Sequence, residues 1–144
     1  REGVSGNKTF YTCSFSYEFP YDDDSVYFAY CHPYSYTELM EELNALEKDE
    51  FASQIVYRKV LCRTMGGNRC DYITVTSKNK VTSFENRKGV VISARVHPGE
   101  TNGSHMMKGV IDFITGQSRE AALLREHFVF KIIPMLNPDG VING

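Results

Sequence analysis

The run Val90-Val91-Ile92-Ser93-Ala94-Arg95-Val96, followed at once by His97-Pro98-Gly99-Glu100, limits what this chain can become more than any other stretch. A nearly continuous apolar run rich in Val and Ile reads as a strand covered on both faces of an α/β sheet, whereas a half-exposed strand alternates. Pro98 cannot continue a ladder and Gly99 permits a tight bend. The strand therefore stops at His97, and Glu100 is carried back towards it as a helix opens at Thr101 or Asn102. An imidazole and a carboxylate thus converge at the C-terminal end of a strand, where open α/β sheets gather their ligands. Both are donors that zinc accepts, and a catalytic site of two His and one Glu needs a third protein ligand and an open position. H-x-x-E also occurs by chance in many chains, so spacing alone leaves an ordinary surface pair open.

The remaining pattern alternates strands with helices. Thr9 to Phe19 and Val26 to Tyr30 are aromatic runs separated by the polar stretch Pro20 to Ser25, which predicts a hairpin. Asp22-Asp23-Asp24 lacks the spacing of a calcium loop and reads as a solvated turn. Ser35 and Glu38 form the S-x-x-E pattern of a capping box, and Leu39, Leu43 and Leu46 then place one apolar stripe on a covering helix. Gln54 to Cys62 and Tyr72 to Thr76 read as strands joined through Met65-Gly66-Gly67-Asn68, and Lys78 to Lys88 as a loop. Met106, Met107, Val110, Ile111 and Ile114 mark a helix from about Asn102 to Thr115, expected to pack through Met106, Val110 and Ile114. Ser118 can cap a second helix through His127. Phe128 to Leu136 is another buried strand. The strand–helix–strand order predicts that Val90–Val96 and Phe128–Leu136 lie parallel and adjacent.

Composition excludes several classes. A net charge of −2 offers no basic footprint for nucleic acid, and no apolar run approaches the ~20 residues of a membrane span. The four cysteines, Cys13, Cys31, Cys62 and Cys70, show no C-x-x-C pair and read as free thiols. Cys62 and Cys70 flank the expected hairpin turn, which leaves a disulfide or a metal contact between them open. Three histidines read as other than ligands. His32 sits beside Pro33 among aromatics, His105 falls on a helix leading away from His97, and His127 ends a helix, where the dipole favours a cation. Met106 and Met107 are core candidates. Arg95 is the basic residue nearest His97 in sequence, and alternation along the strand does not fix where it points.

Ala94-Arg95-Val96-His97-Pro98-Gly99-Glu100-Thr101-Asn102 and Pro134-Met135-Leu136-Asn137-Pro138-Asp139-Gly140-Val141-Ile142-Asn143-Gly144 together resemble the cytosolic carboxypeptidases, a branch of the zinc metallocarboxypeptidases. The segments Phe19-Pro20-Tyr21-Asp22-Asp23-Asp24, Tyr27-Phe28-Ala29-Tyr30 and Pro33-Tyr34-Ser35-Tyr36-Thr37 extend the likeness over most of the chain. The resemblance implies an α/β fold: part of a mixed, mostly parallel sheet with flanking helices. Residues 1–31 would end an N-terminal β-sandwich domain, and residues 32–144 would form the first portion of the catalytic domain. Arg1 and Gly144 read as cuts in a longer protein.

The resemblance further implies zinc as cofactor, with His97 and Glu100 as two of its ligands. The third ligand, the general base and the carboxylate-binding arginine come later in the family than Asn137-Pro138-Asp139-Gly140, so no catalytic residue is assigned within this chain. The 144 residues alone are expected to be inactive. The implied activity is removal of glutamate from acidic protein tails such as those of tubulin, in the cytoplasm and at microtubules or cilia. Two alternatives stand beside it. One is a related zinc hydrolase such as an N-acyl amino acid deacylase, and the other is a catalytically dead microtubule-binding scaffold.

Overall fold

A computed structural model describes residues 11–78 and 82–144. Its centre is a four-stranded sheet in the order β1-β2-β4-β3, built from β1 (Val56–Arg63), β2 (Arg69–Val75), β3 (Lys88–Ser93) and β4 (Phe128–Ile133). Four helices accompany it: α1 (Tyr36–Lys48), α2 (Thr101–Thr115), α3 (Arg119–His127) and α4 (Pro138–Asn143). β3 and β4 are adjacent and parallel, with Val90 opposite Phe130 and Ile92 opposite Ile132, as the strand–helix–strand order predicts. The sheet is mixed but not mostly parallel among these strands. β1 pairs β2 antiparallel and β2 pairs β4 antiparallel, because the tight β1–β2 turn allows no other sense and the chain crosses over through helices only once.

The α1 helix begins where expected. Ser35 Oγ accepts from the Glu38 amide at 3.1 Å, and the Glu38 carboxylate accepts from the Ser35 amide at 2.6 Å, which closes the capping box. Leu39 and Leu43 are buried, and burying each stabilises the fold by about 1.5–3 kcal/mol. They join Ile73, Val75, Phe130 and Ile132 of the sheet and Met107, Ile111 and Ile114 of α2 in one core. Of the three residues expected on the packed face of α2, Ile114 is buried, but Met107 and Ile111 are buried in place of Met106, which is 72% exposed, and Val110, 37% exposed. Both stripes are apolar and share helical spacing, so the sequence does not distinguish them, and the packing against the sheet selects the second.

Two further expectations are corrected. β3 is not covered on both faces: it is an edge strand among the described residues, and Val91 is 71% exposed. The apolar run reflects what such a strand can bury, not what covers it here. The two aromatic runs between Tyr11 and Tyr30 form no hydrogen-bonded ladder; Thr9 and Phe10 lie outside the described residues. The runs meet through side chains, with Phe15 and Phe28 ring centroids 5.2 Å apart and Tyr17 and Phe28 5.3 Å apart. Strand propensity is a preference for a pleated surface with neighbours on it, and no other strand pairs with this segment among the described residues. Residues 21–23 do form the expected turn, with Asp23 at φ 54°.

Candidate metal centre

Backbone pairing continues past the end of β3. The Ala94 amide donates to Ile133 O, the Leu136 amide to Ala94 O at 2.9 Å, and the Asn137 amide to Arg95 O at 3.2 Å. The β3 terminus is therefore fixed against the β4–α4 junction. The chain then turns through Pro98 and Gly99, and the Glu100 amide donates to His97 O at 3.2 Å. This turn brings His97 Nδ1 to 3.2 Å from Glu100 Oε2. Both side chains face solvent, 71% and 68% exposed.

The donor pair fits zinc. With ligand bonds of ~2.0–2.2 Å, two donors 3.2 Å apart subtend an angle of about 100° at one metal, close to a tetrahedral edge. Among the described residues, no group of three or more His, Cys, Asp or Glu converges to hold a metal. The chain thus brings together these two donors. A cavity of about 530 Å³ opens elsewhere, between α1 and α2, and is lined by Leu39, Leu43, Leu46 and Ile111 rather than by His97 or Glu100.

The other histidines stand apart. His105 Nε2 lies 3.2 Å from the His32 carbonyl, its ring edge-on to those of His32 and Tyr34. Tyr34 donates to Glu42 at 2.5 Å; burial, aided by that carboxylate, pushes its phenol up and keeps the donor proton in place. His127 closes α3.

Three parts of the support are not visible in the sequence. The first is Arg95, which turns inward and is only 7% exposed. Its backbone takes φ 53°, the left-handed region, so the unusual geometry of this segment rests on Arg95 and not on Gly99. Its guanidinium donates to Pro98 O at 2.8 Å, Ser104 Oγ at 2.7 Å, Thr101 Oγ1 at 3.2 Å and Tyr34 O at 3.4 Å. One side chain therefore ties the His97–Glu100 turn to the first turns of α2 and to the entry of α1. Burial pulls its pKa below the usual arginine range.

The second is Asp139 of α4. Its carboxylate accepts from Thr64 Oγ1 at 2.5 Å, the Gly66 amide at 2.8 Å and Asn68 Nδ2 at 2.8 Å, pinning the β1–β2 turn. These bonds, led by Thr64, hold the carboxyl below the usual aspartate range. Beside it, Asn137 Nδ2 donates to Val96 O at 3.3 Å, and a Cβ on Gly140 would meet Pro98 Cγ at 2.7 Å. The third is Asp71, whose buried carboxylate lies 2.6 Å from Arg58 Nη2 and 3.1 Å from Arg69 Nε, which locks β1 to β2 beneath α1.

The zinc carboxypeptidase family model matches residues 36–143, and the chain belongs to that family. Its curated relatives narrow the comparison. The chain is 49% identical to human cytosolic carboxypeptidase 4 over 99% of its own length and 13% of that protein's. It is 47% identical to cytosolic carboxypeptidase 2 of Xenopus tropicalis over 95% of its own length and 14% of that protein's. The chain thus spans about one seventh of the relatives it matches. Among solved structures, a metallo-carboxypeptidase from Burkholderia cenocepacia superposes with a TM-score of 0.65 at 26% identity, over 78% of this chain and 29% of that one. Carboxypeptidase A from Helicoverpa armigera shares the fold with a TM-score of 0.65 at 21% identity, over 76% of this chain and 26% of that one.

Proposed function

We propose that the protein carrying this chain is a zinc metallocarboxypeptidase in which His97 and Glu100 are two of the metal's ligands. The observation that carries the proposal is the 3.2 Å approach of His97 Nδ1 to Glu100 Oε2 on an open surface at the end of β3. Membership of the zinc carboxypeptidase family supports it. The substrate class is C-terminal or side-chain-linked glutamate on acidic tails, tubulin among them. It is carried by the resemblance to the cytosolic carboxypeptidases and supported by 46–49% identity to proteins of that name. The same names support a cytoplasmic setting, and tubulin as substrate places the enzyme at microtubules or cilia.

Zinc, when bound, supplies Lewis acidity that polarises a carbonyl and lowers the pKa of a water. The residues of this chain hold and orient. His97 offers Nδ1, and Glu100 offers a carboxylate oxygen. The turn between them sets their separation, and Arg95 holds that turn by its carbonyl at Pro98. No proton transfer is assigned to a residue of this chain; the general base belongs to the rest of the catalytic set.

Glutamate release from a glutamate-tailed peptide by the full-length protein tests the reading, with His97→Ala and Glu100→Gln as variants. Loss of turnover in both, with the far-ultraviolet circular dichroism spectrum retained, is the expected result. Wild-type turnover in His97→Ala rejects it.

A further inference from the structure

We propose that Cys62 and Cys70 are a redox modification site, a cross-strand pair that a hydroperoxide closes to a disulfide and a dithiol reopens. The two residues are direct Cα partners in the antiparallel β1–β2 ladder. Directly opposed residues in such a ladder lie about 4.5–5.5 Å apart at Cα, with both side chains on the same face. A disulfide needs a Cα separation of about 4.4–6.8 Å, and the register places the pair within that range. The ladder is irregular between Val60 and Cys62, and the next rung, Arg63 opposite Arg69, is the last before the turn. The pair therefore sits beside an irregularity at the end of a hairpin, where a strand bends and its local twist increases.

The two sulfurs differ in their access to solvent. Cys62 is exposed, whereas Cys70 is 2% exposed and donates to Met135 O at 3.5 Å. Burial, together with the neighbouring Cys62, pushes the Cys70 thiol up to about 11, so at neutral pH it carries its proton. Cys62 is thus the sulfur an oxidant meets. The Cys62 thiolate attacks one peroxide oxygen, the O–O bond breaks, and hydroxide (or alkoxide) leaves, giving a sulfenic acid at Cys62. The Cys70 sulfur then attacks the Cys62 sulfur. The S–O bond breaks, and the hydroxyl leaves with the Cys70 proton as water. The two thiols have lost two electrons and the peroxide has gained them. Two thiol–disulfide exchanges with a dithiol return the pair to its reduced state.

Closing the bond takes the S–H donor away from Met135 O. The following residue, Leu136, holds Ala94 O at the end of β3, so oxidation is felt one peptide away from the segment that carries His97. The inference does not depend on the zinc reading, since neither sulfur lies in the His97–Glu100 site.

The test is made on the folded full-length protein. It is treated with hydrogen peroxide at neutral pH, its remaining thiols are alkylated, and it is digested without reductant for mass spectrometry. The expected product is the Cys62 peptide joined to the Cys70 peptide with loss of two hydrogens, reversed by dithiothreitol. In Cys70→Ser, Cys62 accumulates as a sulfenic acid trapped by dimedone. In Cys62→Ser, Cys70 stays a thiol, alkylated only after unfolding. Peroxide treatment that leaves Cys62 a thiol, drives it to sulfinic acid with Cys70 still free, or joins it to another cysteine overturns the proposal.

Discussion

The guanidinium of Arg95 lies 2.8 Å, at Nε, from the carbonyl oxygen of Pro98, so the residue two before His97 holds the turn that follows it. A buried cation with carbonyl and hydroxyl acceptors is costly to assemble and more costly to break, because its partners are left without a donor. Arg95→Ala is expected to destabilise the fold by about 2–5 kcal/mol and to weaken metal binding. Arg95→Gly removes the same contacts but tolerates φ 53°, and is expected to be less damaging than Arg95→Ala by about 1 kcal/mol. Urea unfolding of both variants, with bound zinc measured in parallel, checks the pair.

Asp139 predicts an acid-sensitive latch. Its folded pKa is depressed, so the stability it contributes is present above the ordinary aspartate value of 3.8 and is lost as pH falls through the lower folded value. The thermal midpoint of Asp139→Asn should lie below wild type at neutral pH, and the gap should close in acid below the ordinary range. A gap unchanged across that range would show that the carboxylate's charge is not what pins Thr64, Gly66 and Asn68.

The buried Asp71 carboxylate and the half-exposed Glu47 carboxylate are the counter-charges of Arg58, whose side chain is 6% exposed. Asp71→Asn leaves that guanidinium with Glu47 as its remaining acidic partner and is expected to cost about 1–3 kcal/mol in urea unfolding. Arg58→Met combined with Asp71→Leu removes both charges and is expected to cost clearly less than the single change.

Gly140 abuts Pro98 closely enough that a Cβ has no room. Gly140→Ala is expected to destabilise by about 1–3 kcal/mol through overpacking and, by displacing Pro98, to lower zinc affinity while leaving α1 and its cap intact. Amide exchange localised to residues 94–104 and 137–143 would confirm that the damage is local.

What the sequence made legible was periodic or local. The Ser35–Glu38 cap, the parallel β3–β4 pair and the α2 helix follow from spacing, and His97 with Glu100 from a motif four residues long. The apolar run of β3 showed what the strand can bury but not that it is an edge, since a strand's neighbours are fixed by partners distant in the chain. Between Tyr11 and Tyr30, aromatic alternation suggested a hairpin that backbone pairing does not form. The supports were invisible for one shared reason. Arg95 with Tyr34, Asp139 with Thr64, and Asp71 with Arg58 are separated by 61, 75 and 13 residues, and nothing in a single side chain announces a partner at that distance. A positive φ at Arg95 is equally unmarked, because glycine is the residue that advertises such a position.

The most direct measurement is zinc bound per chain, and its X-ray absorption fine structure, in the full-length protein and in His97→Ala and Glu100→Ala. The account predicts one zinc per chain, with nitrogen and oxygen neighbours at ~2.0–2.2 Å, and an affinity lowered by more than about 100-fold in each variant. Wild-type zinc content and an unchanged absorption spectrum in His97→Ala would contradict it.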